Sequence, residues 1–305
     1  MFLLQKNIFL QTLKNLNEMK ILVLAKQVPD TRNVGRDTMK ADGTVNRAAL
    51  PAIFNPDDLC ALEMALTAKD YLKNAEVYVL SMGPSRAAEI IREAIYRGAD
   101  KGFLLTDRKF SGSDTLATSY AIAQTAKQMQ PDLIFCGLQA IDGDTAQVGP
   151  QIAEKLSLPQ ITYAEKLVEI DHQHIIVKRR LERGVETVKS KLPALITVHG
   201  AAPACRARNA KRVMQFKHAR TQTEIQEEPN IYINMYEDKP YLLIEEWSAD
   251  FVNADEHLLG LFGSPTKVKK IENVILTQKE NKTLTSFDTD IEEMMRELLE
   301  TKIIG

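Results

Sequence analysis

The sequence predicts an α/β fold in which helices flank a mostly parallel sheet. From residue 20 onward, short apolar runs alternate with longer stretches of helical periodicity, as in strand–helix–strand units. Hydrophobic residues make up 44% of the 305-residue chain and charged residues 26%, which is typical of soluble globular proteins. The formal net charge of -2 gives no overall attraction for nucleic acid or an anionic membrane. We therefore expect neither among its partners.

Residues 1–18 are predicted to be an extension upstream of the fold, because Met19-Lys20 and the apolar run behind it look like a natural protein start. A short amphipathic anchor is the alternative. The apolar residues of this segment are too interrupted for a membrane span, and no secretory signal is evident. The chain's three cysteines are scattered, at Cys60, Cys136 and Cys205. They do not form the clusters that zinc or iron–sulfur centres require, so we predict no metal site and a reducing, cytoplasmic location.

Four apolar runs are predicted to be buried strands. Each is too short for an independent helix and is bounded by turn or charged residues. They are residues 21–25, 77–81, 102–105 and 133–136.

Helices are predicted between these strands. The best defined follows Gly83-Pro84, ends at Arg97-Gly98, and carries one apolar face. That face consists of Ala87, Ile90, Ile91, Ala94 and Ile95. A second helix should follow Asn55-Pro56, with Asn55 as its cap and Leu59, Leu62 and Leu66 facing inward. A third is expected over about residues 115–130.

The pattern changes after Leu156. Residues 161–198 hold β-branched residues and turn signals, which predict an antiparallel meander at one edge of the sheet. Residues 199–220 are basic and poor in periodic apolar positions, as in a long surface loop. Residues 221–305 are predicted to form an extended C-terminal arm that ends in a short helix at 290–299, with an apolar stripe.

The stretch 136–150 carries the most chemical information, because it follows the fourth predicted strand. In open α/β sheets, ligands collect where strand ends meet the amino ends of the next helices. Glycines allow close backbone approach here, and free N–H groups at 144–147 could hold a phosphate. Asp142 and Asp144 would repel that phosphate. We expect Asp144 to cap the next helix, or either carboxylate to accept bonds from ribose hydroxyls or loop amides; a plain acidic turn is the alternative.

Residues 139–147 closely resemble the nucleotide loop of electron-transfer flavoprotein β subunits. Three further segments agree with that family in order and spacing: residues 23–30, Asn55-Pro56 with residues 61–63, and residues 81–84. Together the four segments cover about residues 19–220. Four segments that agree in order and spacing indicate the family far more specifically than any single one.

The resemblance implies a Rossmann-like domain over residues 19–220 that binds an adenine nucleotide and pairs with a flavin-carrying α subunit. No catalytic residue is assigned, and activity is expected only as a subunit of a flavin-dependent oxidoreductase complex. The implied nucleotide contacts are Leu24, Asn55, Met82, Gly137, Leu138, Gln139, Ala140, Ile141, Asp142, Gly143, Asp144, Thr145, Ala146, Gln147 and Val148.

Residues 142–145, 26–31 and 260–268 look like the family members that bind FAD and perform electron bifurcation. A departure is Leu138, where a basic residue is often found. The resemblance implies that NADH delivers hydride to the FAD as a transient substrate, with electrons passing to ferredoxin and, through the α-subunit flavin, to or from a dehydrogenase of the acyl-CoA or 2-hydroxy acid type. The basic loop at about 199–220 would dock that dehydrogenase, and the C-terminal arm would dock on the α subunit.

Two alternatives stay open. One is a non-bifurcating β subunit that binds AMP in place of FAD. The other, from a different class, is a non-redox module that binds an adenine nucleotide as a homodimer.

Overall fold

The computed structural model describes residues 19–30, 50–227, 234–266, 283–285 and 287–300. The chain divides into two compact units, Met1–Lys269 and Lys270–Gly305. The predicted extension at residues 1–18 lies outside the described residues. Within them, no helix combines the length and apolar character needed to cross a membrane.

The described strands are, in chain order, β1 (Met19–Leu24), β2 (Gln27–Pro29), β3 (Ala52–Phe54), β4 (Ala75–Met82), β5 (Lys101–Leu105), β6 (Leu133–Gly137), β7 (Gln160–Ile170), β8 (His174–Leu181), β9 (Gly184–Lys191), β10 (Ala194–Val198), β11 (Arg220–Thr221) and β12 (Leu243–Trp247). Among them, β2 and β3 form a small antiparallel pair. The other strands form one sheet in the order β11-β12-β5-β4-β1-β6-β10-β7-β8-β9. Each of the four predicted strands is confirmed, as β1, β4, β5 and β6.

The described α-helices are α1 (Pro56–Tyr71), α2 (Ala88–Arg97), α3 (Thr115–Met129), α4 (Val148–Leu156), α5 (Ala210–Phe216), α6 (Gln222–Glu227), α7 (Asn234–Asp238) and α8 (Asp288–Glu300). The three predicted helices are confirmed as α1, α2 and α3, and the helix predicted at 290–299 as α8. A 3-10 turn, Ser85–Ala87, precedes α2, so Pro84 lies just before the helical residues. The α/β class with flanking helices is therefore confirmed.

Strand β1 shows why the central sheet is apolar on both faces. Ile21 and Val23 pack into the core beneath α1, whereas Leu22 and Leu24 pack into the core beneath α3 and α4. Because successive side chains point to opposite faces, a strand covered on both sides has no polar positions to alternate with. The sequence therefore shows these strands as continuous apolar runs.

The order of the central strands creates a topological switch point at β1. The chain runs from β1 to its neighbour β4 and outward to β5, then crosses to β6 on the other side of β1. Both pairings of β1 are parallel, so the carboxyl ends of β1 and β6 lie side by side. In open α/β sheets this is the position of the ligand crevice.

The antiparallel meander is shorter than the predicted range 161–198. Strands β7, β8 and β9 are antiparallel, but β10 inserts between β6 and β7 and is parallel to both. All five residues of β10 are buried, and four of the five are apolar. Such a run is suited to a central strand covered on both faces rather than to an edge.

The sheet also continues into the residues expected to form the arm. Strand β12 pairs in parallel with β5. Leu242, just before the strand, and Ile244, within it, pack into a core cluster with Leu104. The short apolar run at 242–244 was the sequence signal for this strand. In the second unit, α8 carries the expected stripe, and Ile291, Met295 and Leu299 on it are exposed.

Candidate nucleotide site

Loops from three neighbouring strands meet at the switch point. Leu24 ends β1, Met82 ends β4, and residues 138–147 follow β6 and lead into α4. Asn55 lies on the same edge of the sheet, immediately before α1. The structure thus brings the sequence-predicted site residues to one edge, although their roles differ.

Asn55 fixes the loop after β6. It is fully buried and occupies the N-cap position of α1, but its side chain makes no capping hydrogen bond there, contrary to prediction. Its amide nitrogen instead donates to the carbonyl oxygen of Gln139 at 2.8 Å, and its amide oxygen accepts from the N–H of Ile141 at 3.2 Å. A buried amide that bonds a loop in both directions sets the loop's register.

Past that anchor the loop adopts an unusual backbone conformation. The carbonyl of Ala140 accepts from the N–H groups of Gly143 and Asp144, which closes a tight turn. Asp144 and Ala146 have φ values of 48° and 52°, a region that residues other than glycine visit infrequently. In the described residues, the N–H groups of residues 145–147 find no protein acceptor. These donors lie at the amino end of α4, where the helix dipole also favours an anion.

The two loop carboxylates are engaged within the protein. Asp142 accepts from the Lys26 ammonium through both oxygens, at 2.7 and 2.8 Å, so its charge is balanced across the crevice. Asp144 is exposed and accepts from the side chain of Gln139 at 3.2 Å. The prediction that Asp144 caps the following helix was wrong, because α4 begins at Val148 with Gln147 in the N-cap position.

Three predicted contacts have side chains that lie mainly in the protein interior. Leu24 is 6% exposed and packs into the core beneath α3, and the half-buried Met82 and Val148 pack against the same cluster. Beside a bound molecule they would offer main-chain groups and an apolar wall. Leu138 contributes structurally too, since its N–H donates to the carbonyl of Val198 at the end of β10.

Sequence reasoning missed Asp58 as part of the site. Asp58 is 7% exposed and accepts from the N–H groups of Lys26 and Gly137, both at 2.9 Å. Burial raises its pKa to about 7, although these hydrogen bonds oppose the shift. The neighbouring pair Asn55-Pro56 was the available signal, since it placed this helix start at the crevice.

The basic segment at 199–220 is held against the helices by its arginines. Arg206 pairs with Glu63 at 2.9 Å and with Asp70 at 2.8 Å on α1. Arg212 donates to the carbonyl oxygens of Ile95, at 2.6 Å, and of Ala99. These guanidinium groups are therefore committed to intramolecular contacts.

Three cations of the segment face solvent: Arg208, which also lies 3.4 Å from a carboxylate oxygen of Glu93, and two lysines. Lys211 and Lys217 are exposed, as is Met214, which is 66% exposed. This segment consequently offers a partner fewer accessible cations than its composition suggests.

The fold and site define an open α/β protein with an anion-suited crevice at its switch point. A model of the electron transfer flavoprotein domain matches residues 42–221. The electron transfer flavoprotein subunit beta of Clostridium acetobutylicum is 46% identical over 252 residues, which cover 83% of this chain and 87% of the relative.

Two further relatives extend the comparison. The caffeyl-CoA reductase-Etf complex subunit CarD of Acetobacterium woodii is 49% identical over 180 residues, covering 59% of this chain and 68% of the relative. Protein FixA of Sinorhizobium fredii is 40% identical over 261 residues, covering 83% of this chain and 82% of the relative. The chain belongs to the electron-transfer flavoprotein family, as a β subunit.

Proposed function

We propose that this β subunit binds FAD in the crevice between β1 and β6 and serves flavin-based electron bifurcation or confurcation beside an α subunit. NADH is the proposed hydride donor. Ferredoxin and, through the α-subunit flavin, an acyl-CoA-type dehydrogenase are the proposed electron partners. The names of two relatives support that dehydrogenase class: one is a caffeyl-CoA reductase complex subunit, and the other is the acryloyl-CoA reductase electron transfer subunit gamma of Anaerotignum propionicum.

The observation that carries the nucleotide proposal is the donor set at the head of α4. Residues 145–147 present N–H groups without a protein acceptor in the described chain, and these groups are suited to the oxygens of a diphosphate. The ion pair between Lys26 and Asp142 removes the main electrostatic objection, because a paired carboxylate repels a phosphate far less than a lone one. The residues present therefore fit a nucleotide.

The chain's own residues would bind and orient the cofactor. Asn55 would keep the loop in register, the amides of 145–147 would hold the phosphates, and Met82 would provide an apolar wall. Bound FAD would supply the exchange between two-electron and one-electron chemistry that no side chain can provide. The protein's part is binding, orientation and exclusion of water.

The test is to purify the chain with its α subunit and quantify the released nucleotides. We expect a second FAD per heterodimer and no AMP, together with NADH-driven reduction of ferredoxin that requires the dehydrogenase substrate. One FAD and one AMP would contradict bifurcation and identify the AMP-binding alternative. A chain that forms a homodimer, binds ATP and ignores the α subunit would contradict both.

A further inference from the structure

The carboxylate of Asp58 joins the carboxyl ends of the two crevice strands, β1 and β6. It is the third residue of α1, with 7% of its surface exposed. One carboxylate oxygen accepts from the N–H of Lys26, just past β1, and the other accepts from the N–H of Gly137, the last residue of β6. A single side chain therefore connects the end of β6 to the residue just past β1.

The packing around this connection leaves little freedom. An added Cβ at Gly137 would lie 2.5 Å from an Asp58 oxygen and 2.7 Å from the carbonyl carbon of Asp57. The backbone at the end of β6 thus runs directly over the start of α1. We therefore expect a change in the Asp58 hydrogen bonds to move the residues that lead into the nucleotide loop.

We propose that Asp58 is a positioning residue for the nucleotide: its ionised carboxylate holds the exits of β1 and β6 at the spacing that binds the adenine nucleotide, so that affinity depends on its charge state. This inference rests on the proposed function. An ionised carboxylate accepts through both oxygens. A protonated one uses one oxygen for its own O–H, so one of the two amides loses its partner.

Asp58 changes charge within the physiological range. Burial raises its pKa to about 7, and the neighbouring Asp57 adds to the shift, while the amides of Lys26 and Gly137 and the side chain of Asn55 oppose it. We therefore expect nucleotide affinity to rise with pH through about 7.

Other ionisable groups around Asp58 come from α1, from β6 and from the segments after β1 and β10. Cys60 on α1 and Cys136 on β6 have thiol pKa values raised chiefly by burial, so both stay neutral across this range. The Lys26 ammonium is paired with Asp142. His199, after β10, acts electrostatically on Asp57 and is the residue to control for.

Stability should depend on pH in the opposite direction to affinity. The pKa of Asp58 is higher in the folded chain than the ordinary value of 3.8, so the folded state holds a proton that the unfolded state has released. Its contribution to stability is complete below about pH 4 and is lost as the pH rises to about 7. A residue that only supported the fold would not make nucleotide affinity rise as the pH passes through about 7.

The experiment uses the full chain in complex with its α subunit, stripped of nucleotide from the β-subunit crevice and titrated with FAD and with ADP between pH 6 and 8. We expect wild-type affinity to rise about tenfold over this interval, as expected for one hydrogen bond to a charged group. Asp58→Asn cannot accept both amides, so we expect an affinity about tenfold below that of wild type at pH 8, with a flat profile. His199→Gln should keep the wild-type profile.

The outcomes separate the two proposals. A wild-type affinity that is constant or falls with rising pH overturns the positioning role, and this measurement requires no variant to fold. A pH profile that disappears in His199→Gln and persists in Asp58→Asn overturns it as well. If wild type binds neither FAD nor ADP at any pH, the proposed function fails and this inference fails with it.

Discussion

The loop at 138–147 and the basic segment at 199–220 were both interpreted from sequence as binding elements. They differ in whether their hydrogen-bond donors are used within the protein. In the first, buried side chains hold the loop so that its backbone donors remain available. In the second, Arg206 and Arg212 use their donors on groups of α1 and α2. The first leaves main-chain donors without a protein acceptor among the described residues, whereas much of the second is attached to the domain.

The difference shows which kind of binding group a sequence reveals well. Main-chain amides at a helix start have no side-chain rotamers. Their positions are therefore set once the strand, the glycine-rich loop and the helix have formed, and the sequence predicts all three. An arginine has a long side chain with several donors, and carboxylates distant in sequence can capture it. Counting basic residues therefore overestimates the cations that a partner can contact.

The largest expected effect is at Gly137, where a substitution tests whether packing beneath the loop controls FAD affinity. In Gly137→Ala the new Cβ would overlap Asp58 and the backbone of Asp57, so we expect at least a tenfold loss of FAD affinity and a destabilisation of about 2 kcal/mol. Gly143→Ala, in the loop that follows β6, is the matched control, because a Cβ there meets nothing within 4 Å. Calorimetric titration and chemical unfolding measure both, and equal behaviour of the two variants would refute the packing described here.

Asn55→Ala sharpens the comparison. It removes both bonds to the loop and leaves buried groups unpaired, so we expect an affinity about tenfold lower and a stability loss of about 1–3 kcal/mol. Asn209→Ala in the basic segment is the control, because that side chain caps α5 by accepting from the N–H of Arg212. Its loss should cost about 1 kcal/mol and leave FAD affinity unchanged. A fall in affinity in both variants would remove the distinction between the regions.

Arg206→Ala tests whether the basic segment is attached through its arginines. Arg206 pairs with Glu63 and Asp70 but is 35% exposed, so after allowance for solvent screening we expect a loss of about 1 kcal/mol, with FAD affinity unaffected. Lys217→Ala, at an exposed position, should leave the free energy of unfolding unchanged. Urea unfolding of the pair measures this, and identical midpoints would count against the attachment.

The smallest expected effect is at Lys26. Its side chain is 50% exposed, so we expect Lys26→Ala to change stability by less than about 1 kcal/mol. FAD affinity should fall slightly, because Asp142 then faces the phosphates unpaired, and added salt should reduce the difference from wild type. Titrations at low and high salt check this prediction. An increase in affinity in Lys26→Ala would show that the ion pair obstructs the crevice.

The sequence by itself determined the local elements and the kind of site. The central strands β1, β4, β5 and β6, helices α1 to α3 and the loop after β6 were predictable, because apolar runs, helical periodicity and turn residues are short-range signals. The family resemblance also followed from contiguous residues.

Only the tertiary structure decided the insertion of β10, the addition of β12 and the roles of Asn55 and Asp58. Asn55 is 84 positions from Gln139, and Asp58 is 79 positions from Gly137. Whether a polar side chain caps its own helix or supports a distant loop depends on which unpaired group the fold brings to it. That choice is made by packing between strands far apart in the chain, and no local pattern records it.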